Sequence, residues 1–299
     1  SDFDLNNNFN TNLQKSDLKE FINSISSKNL PNLVFVDNTS SEDVVAEYSL
    51  LFNNNISIVT CNKKGNSSSY EQYSKFKRLA KKNNVSFLYE TNVGAGLPII
   101  KTLNDLWISG DEILKIEAIL SGTISYIFNN YVGDNTFAEV VRTAQELGYT
   151  EPDPRDDLNG MDFSRKMLIL GREIGLPLEM SNVNIKDFLP EACLKAESIP
   201  AFYEELEKHE PYFSSFKNEA ENSGRKLRLI GVLEDGKINI EVQIVDANHP
   251  LFGLSGSDNI ISFTTSRYKN TPLVVKGPGA GAEVTAAGVF ADLVRVTAQ

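Results

Sequence analysis

The densest cluster of ionisable side chains lies between Gly148 and Lys166, where Gly148-Tyr149-Thr150-Glu151-Pro152-Asp153-Pro154-Arg155-Asp156-Asp157 runs on through Gly160 and Asp162. Glu151, Asp153, Asp156, Asp157 and Asp162 fall within twelve positions, in a loop restricted by two prolines and two glycines. So many carboxylates repel one another unless something cationic joins them. Asp162 and Lys166 stand four apart and so share a helix face, with Phe163, Met167 and Leu170 as an apolar stripe beside them. The pattern leaves two readings open. One is a capped helix start steadied by an i,i+4 ion pair worth about 0.2–0.5 kcal/mol. The other is a site where carboxylates bind an amino-acid ammonium group while a lysine works beside a carboxylate.

Three further segments carry chemistry. Thr60-Cys61-Asn62-Lys63-Lys64 ends an apolar run, and a lysine at such a strand end can polarise a carbonyl or meet a phosphate; a surface pair is the plainer alternative. Val93-Gly94-Ala95-Gly96-Leu97-Pro98 invites a dinucleotide-fingerprint reading, but the third glycine position is Ile99 and no acidic residue closes the strand ending at Leu120. It is either a tight turn or a backbone site, and with Glu90 just upstream its carbonyls suit a hard cation held through oxygen alone. Gly277-Pro278-Gly279-Ala280-Gly281 precedes Glu283-Val284-Thr285-Ala286-Ala287-Gly288, so it offers either a turn or free backbone N–H groups that seat an anion. The only histidines, His209 and His249, lie near no serine or cysteine motif, which leaves proton chemistry to Lys, Asp and Glu.

Periodicity gives the elements that must position these segments. After a polar entry, Leu18, Phe21, Ile22 and Ile25 recur at helical spacing. A strand over 33–37 leads through Asn-Thr-Ser-Ser into a helix marked by Val44, Val45, Tyr48, Leu51 and Phe52. Strands over 56–60 and 85–89 flank a helix over 70–82, an alternation that predicts a parallel α/β sheet. Beyond Pro98 the pattern changes: a helix over 99–108, a strand over 113–120, and helices around Tyr126 and over 137–147 and 162–174. A charged helix with a solvated face is expected over 202–224, and antiparallel strands over 227–233, 238–245, 260–265 and 273–275. The last helix, 284–296, is apolar on most sides, which predicts burial.

The 299 residues suggest two domains, and 41% apolar with 23% charged residues is ordinary globular composition. A net charge of −11 argues against a nucleic-acid surface. No stretch approaches the roughly 20 apolar residues that cross a bilayer, and Ser-Asp-Phe-Asp-Leu has no signal-peptide character. Cys61 and Cys193 are too few for a disulfide framework and lack metal-ligand spacing, so a soluble protein of the reducing cytoplasm is expected.

Asn62-Lys63-Lys64, Val93 to Pro98, Ser121-Gly122-Thr123, Gly148 to Pro154 through Gly160, Gly279-Ala280-Gly281 and Val284 to Gly288, in this order, resemble homoserine dehydrogenase from about Val34 to the end. The Glu-Pro-Asp-Pro-Arg-Asp-Asp loop is specific, and its surroundings resemble the dehydrogenase portion of bifunctional aspartate kinase/homoserine dehydrogenases. The resemblance implies NAD(P)-dependent interconversion of aspartate 4-semialdehyde and homoserine, in threonine and methionine biosynthesis. It implies a homodimer or higher homo-oligomer, and leaves open a bifunctional parent with a fused aspartate kinase domain or a single-function relative, since both share much of this pattern. The implied fold is α/β: a Rossmann-type parallel-sheet domain formed by 1–92 and 276–299, and an α+β substrate-binding and dimerisation domain, 93–275, with a mixed or antiparallel sheet.

The resemblance also assigns roles. Lys166 exchanges the proton with the reacting oxygen, with Lys63 beside the reacting group and cofactor; Asp162 and Glu151 and Asp157 bind the substrate amino group and order the lysine and a water. Thr123 lines the substrate pocket. Thr39, Lys63 and Gly281 fall at nucleotide contacts, and Glu90 with the backbone oxygens of Val93, Ala95 and Leu97 matches a sodium or potassium site. One departure stands out. The family opens with a strand, a Gly-x-Gly-x-x-Gly turn and a helix, yet residues 1–30 contain no glycine. The parallel sheet is therefore expected to be incomplete, in a truncated polypeptide or part of a larger chain, with a catalytically silent substrate-binding and dimerisation module as the alternative to an active enzyme. Aspartate-semialdehyde dehydrogenase shares the two-domain plan but needs an activated cysteine with a histidine partner, which neither cysteine has in sequence.

Overall fold

A computed structural model describes residues 17–186 and 188–297. Three short strands, β1 (Val34–Asp37), β2 (Ser57–Thr60) and β3 (Phe87–Leu88), form a parallel sheet in the order β1-β2-β3. The helices Tyr48–Asn53 and Tyr70–Lys82 supply Tyr48, Phe52 and Phe76, which each meet Phe87 edge-on at 5.3–6.3 Å. Such pairs contribute about 0.5–1.5 kcal/mol beyond their buried area, and they fix the side of the sheet on which the connections lie.

The remaining strands are β4 (Ile113–Ile119), β5 (Val183–Ile185), β6 (Lys226–Glu234), β7 (Lys237–Val245), β8 (Asn259–Thr265) and β9 (Leu273–Gly277). They form a mixed sheet in the order β5-β7-β6-β4-β8-β9, antiparallel except for β5 against β7. Asp235 and Gly236, both at positive φ, make the two-residue turn of the β6–β7 hairpin. The helices Gly122–Asn130, Met161–Glu173 and Glu210–Asn222 pack on one face of this sheet. On the other face, Leu251 and Leu254 cover Ile119, Ile230, Val245 and Ile260.

The mixed α/β architecture agrees with the sequence reading, but the helix through Val44 to Phe52 is two, Glu42–Ala46 and Tyr48–Asn53, β5 and a helix over Glu191–Leu194 were not expected, and three further elements differ in detail. The third strand is two residues long, because Tyr89 leaves extended geometry to start a 3-10 turn over Glu90–Asn92. The charged helix over 202–224 is two helices, Ile199–Lys208 and Glu210–Asn222, broken at His209; Pro211, in the first turn of the second, lacks the N–H that a continuous helix would use there. Both keep the solvated charged face, with Glu204, Glu207, Lys208 and Glu219 exposed, and bury Phe202, Tyr203, Leu206, Phe213, Lys217 and Ala220 on the other. The last helix, Ala282–Thr297, buries only Gly288 and Asp292 and leaves Phe290 64% and Val294 48% exposed. It rests on β2 and the 90–92 turn along a narrow glycine stripe, so apolar composition overstated its burial.

Candidate active site

A cleft of about 400 Å³ opens where the C-terminal ends of β2 and β3 face the start of the Met161–Glu173 helix. Ligands of open parallel sheets bind at this end. Its wall includes Cys61, Lys63, Gly94, Ala95, Glu151, Asp157, Asp162, Lys166, Gly279 and Gly281, so four separate sequence motifs converge on it.

Lys63 is placed by a buried polar network. Asp37, 1% exposed at the end of β1, accepts hydrogen bonds from Thr39 N (2.8 Å) and Thr39 Oγ1 (2.7 Å) on one oxygen and from Tyr48 Oη (2.5 Å) and Asn62 Nδ2 (3.1 Å) on the other. Burial, reinforced by Asp37, pushes the Tyr48 phenol far up, so it stays a donor. Asn62 then N-caps the short Lys63–Asn66 turn by accepting from Lys64 N at 3.1 Å. Lys64 points elsewhere, pairing with Glu42 at 3.2 Å.

Asp162 bridges two lysines. Its Oδ2 lies 2.8 Å from Lys166 Nζ and its Oδ1 3.2 Å from Lys63 Nζ. Enclosure in the cleft pushes its carboxyl up, but the charges of Lys166 and Lys63 overcome this and hold it well below the usual carboxylate range. Lys166 Nζ also donates to the carbonyl of Leu120, at the end of β4, at 2.6 Å. An ammonium has three donors, so one N–H of Lys166 is left without a partner among the described residues and faces the cleft.

The loop carboxylates divide by partner. Asp153 is taken by Arg155, whose Nε lies 2.8 Å from Oδ1 and whose Nη1 also donates to the carbonyl of Ala196. Asp157 accepts from Glu151 N at 2.7 Å and from the Thr123 hydroxyl at 3.0 Å; that hydroxyl also lies 2.6 Å from the Tyr149 carbonyl, so its single proton is shared. Burial raises the Asp157 carboxyl above its ordinary value, and the neighbouring Asp162 and Asp156 raise it further. Glu151 lines the cleft with no side-chain partner among the described residues. Gly160, at φ 72, turns the chain from this loop into the helix that carries Asp162.

The turn over 93–97 sits between the cleft and the last helix. Glu90, 5% exposed, accepts from Ile100 N (2.7 Å) and Lys101 N (3.0 Å), capping the Ile100–Ile108 helix, and lies 3.5 Å from Arg295. Burial raises its carboxyl above the ordinary value against those N–H groups. Among the described residues no hydrogen bond to the carbonyls of Val93 and Ala95 is found, whereas that of Leu97 accepts from Ile99 N at 2.8 Å. Carboxylate and carbonyl oxygens are the ligand types a hard cation takes. A Cβ on Gly96 would stand 2.6 Å from the Val284 carbonyl, and one on Gly288 2.5 Å from Thr91 Cγ2, so this pair of glycines lets the last helix close on the turn.

Thr39, Thr123, Glu90, Val93 and Leu97 do not line the cleft itself; Thr39 and Thr123 act on it through Asp37 and Asp157. Burial pushes the thiols of Cys61 and Cys193 up, the latter to about 11, opposite to what an activated nucleophile needs. Residues the motifs missed include Leu120, through its carbonyl, and Asn259. The Asn259 amide is buried with no hydrogen-bond partner among the described residues and packs where a Cβ on Gly279 would stand 2.0 Å away. Strand alternation carried no signal for either.

The homoserine dehydrogenase family model matches residues 98–294, and the model of the homoserine dehydrogenase NAD-binding domain matches residues 2–90. A homoserine dehydrogenase of Schizosaccharomyces pombe is 43% identical over 274 residues, which is 89% of this chain and 73% of that protein. The chain belongs to the homoserine dehydrogenase family. The chloroplastic bifunctional aspartokinase/homoserine dehydrogenase 2 of Arabidopsis thaliana is 45% identical over 94% of this chain, and the chain spans 31% of its length. Among solved structures, a Candida auris protein described as of unknown function matches with a TM-score of 0.91 and 37% identity, covering 96% of this chain and 82% of that one. A hyperthermophilic archaeal homoserine dehydrogenase in complex with NADPH matches at 0.68 and 26%, covering 89% and 71%. No described helix of this homoserine dehydrogenase family member is long and apolar enough to cross a membrane.

Proposed function

We propose that the cleft interconverts L-homoserine and L-aspartate 4-semialdehyde with NAD or NADP, and that the carrying observation is the one N–H of Lys166 that Asp162 and Leu120 leave without a partner among the described residues. The nicotinamide, when bound, supplies the hydride chemistry. On reduction Lys166, as the ammonium, gives the reacting oxygen its proton, and on oxidation the neutral amine takes that proton back, with Asp162 orienting the side chain. Lys63, held by Asp162 and the Asn62 cap, brings a second positive charge to the same oxygen and to the nucleotide. Glu151 and Asp157 receive the substrate ammonium group, and Thr123 orients Asp157. Thr39 and the Gly279 to Gly281 amides, ahead of the 16-residue last helix, suit the nucleotide; Gly281 has open space where a Cβ would stand.

Glu90 with the carbonyls of Val93, Ala95 and Leu97 is the proposed seat of a sodium or potassium ion that would stiffen the turn beneath the cleft. Of the nucleotide half expected over 1–92 and 276–299, residues 1–16 and 298–299 lie outside the described residues; 17–92 and 276–297 make up the rest and 93–275 the substrate half, a division that the return of the last helix to β2 supports. A homodimer through the partly uncovered face of the mixed sheet, where Val274 is 40% exposed, is the proposed assembly. Two unpaired thiols favour a reducing cytoplasm. Homoserine-dependent reduction of NADP or NAD that disappears in Lys166→Ala tests the reading.

A further inference from the structure

Lys63 and Lys166 sit on different elements, and the reaction needs both in one register. At the cleft end of the Met161–Glu173 helix the Asp162–Lys63 pair joins those elements. At the far end buried Arg172 joins them again, and the adjacent buried Glu173 ties the same helix to the elements around the parallel sheet.

Arg172, 3% exposed, donates from Nη1 to the carbonyl of Asn66 at 2.8 Å, and from Nε and Nη2 to the carbonyl of Leu178 at 3.0 and 2.8 Å. Asn66 ends the short turn that begins at Lys63, and its carbonyl is one that a helix end leaves without a backbone donor. The cation thus closes the far end of the element carrying Lys63. Glu173, 6% exposed, accepts from Tyr73 Oη at 3.0 Å, from Tyr89 Oη and from Asn104 Nδ2 at 3.0 Å, with Lys77 Nζ at 3.4 Å. These partners come from the helices Tyr70–Lys82 and Ile100–Ile108 and the end of β3, so one carboxylate gathers three elements around the parallel sheet. Burial and Glu173 together push the Tyr73 and Tyr89 phenols up, which keeps them donating. Lys166 lies two turns before Glu173 on the same helix, about 10 Å away along the axis, so a rigid rod connects the anchor to the lysine.

We infer that Arg172 and Glu173 are positioning residues for the proposed reaction: they pin the helix bearing Asp162 and Lys166 to the turn bearing Lys63 and to the elements around the parallel sheet, so that the lysine–carboxylate–lysine array keeps one geometry. This rests on the homoserine dehydrogenase reading of the cleft. Neither residue reaches the cleft, and both act through the backbone they hold.

A double-mutant cycle tests it. Arg172→Gln is expected to lower kcat about ten- to a hundredfold, the cost of a misplacement near 1 Å, while the nucleotide KM stays within about twofold. In an Asp162→Asn background, where the register is already lost, the same change is expected to cost less than about twofold. Sites this far apart otherwise act independently, so equal losses in both backgrounds would overturn the inference. Glu173→Gln, which keeps shape, repeats the test if Arg172→Gln does not fold. A second readout needs no turnover: acetic anhydride labelling of Lys63 and Lys166, read by mass spectrometry against exposed Lys195. Severalfold faster labelling of Lys63 relative to Lys195 in either variant supports the pinning, even if the parent proves inactive on homoserine, and unchanged relative rates overturn it.

Discussion

Lys63 and Asp162, ninety-nine positions apart in the chain, meet at 3.2 Å and join the end of the parallel sheet to the helix that carries Lys166. The contact makes Asp162 a shared counterion: each lysine loses its partner if the carboxylate is neutralised, and two like charges then face one another.

The carboxyl of Asp162 is held well below its ordinary value because two lysine charges outweigh its enclosure. A depressed carboxylate contributes stability above its unfolded pKa, near 4, and that contribution is lost as the pH falls through the lower folded value. Asp162→Asn is therefore expected to lower Tm at about pH 7 and to converge on the parent in strong acid. Thermal melts across that range check this, and an equal Tm gap at every pH would refute it.

Asp157 shifts the other way, raised first by burial and then by Asp162 and Asp156. An ammonium substrate needs it ionised, so the homoserine KM is expected to rise as the pH falls through that raised value. Asp157→Asn should raise KM about ten- to a hundredfold at neutral pH, the worth of a charged hydrogen bond, and flatten the acid limb. Steady-state kinetics against pH read both effects. A variant with the parent's KM and pH slope would remove Asp157 from the ammonium site.

Much of this site was legible because its residues are local in sequence. The 148–162 loop announces itself through glycines, prolines and carboxylates close together, and the Asp162–Lys166 pair follows from helical spacing alone. The i,i+4 pair is present and does not exclude the proposed ammonium site, since Asp162 pairs with both lysines and Asp157 and Glu151 pair with neither. Arg172 and Glu173 were not legible: they look like ordinary charges at a helix end, and Tyr73 and Asn66 lie about a hundred positions away. The exposure of the last helix was hidden too, because apolar composition does not say which faces find a neighbour. The break at His209 did carry a signal in Pro211, at a position where a helix begins.

The closeness of the last helix to the 93–97 turn depends on Gly96 and Gly288. Gly96→Ala would set its Cβ 2.6 Å from the Val284 carbonyl, and backbone cannot yield as a side chain does. A loss of about 1–3 kcal/mol in denaturant unfolding is expected. Gly253→Ala, with nothing within 4 Å of the added Cβ, should stay within about 0.5 kcal/mol of the parent. Similar stabilities for the two variants would mean that the helix does not press on the turn.

For the cation seat, sodium or potassium chloride is expected to raise Tm more than choline chloride at equal ionic strength. Glu90→Ala should abolish the difference, because the carbonyls of Val93 and Ala95 lose their carboxylate. A cation-specific gain that survives in Glu90→Ala would move the site elsewhere.

The central claim is that Lys166 handles the proton of homoserine oxidation, and the most direct measurement follows nicotinamide absorbance with homoserine and NADP or NAD, on this polypeptide and on Lys166→Ala. Calorimetry with homoserine runs alongside it. The account predicts turnover in the parent and none in Lys166→Ala, with homoserine still bound by both. Equal turnover in the two proteins would contradict the role of Lys166, and a parent that neither turns over nor binds homoserine would contradict the assignment of the cleft.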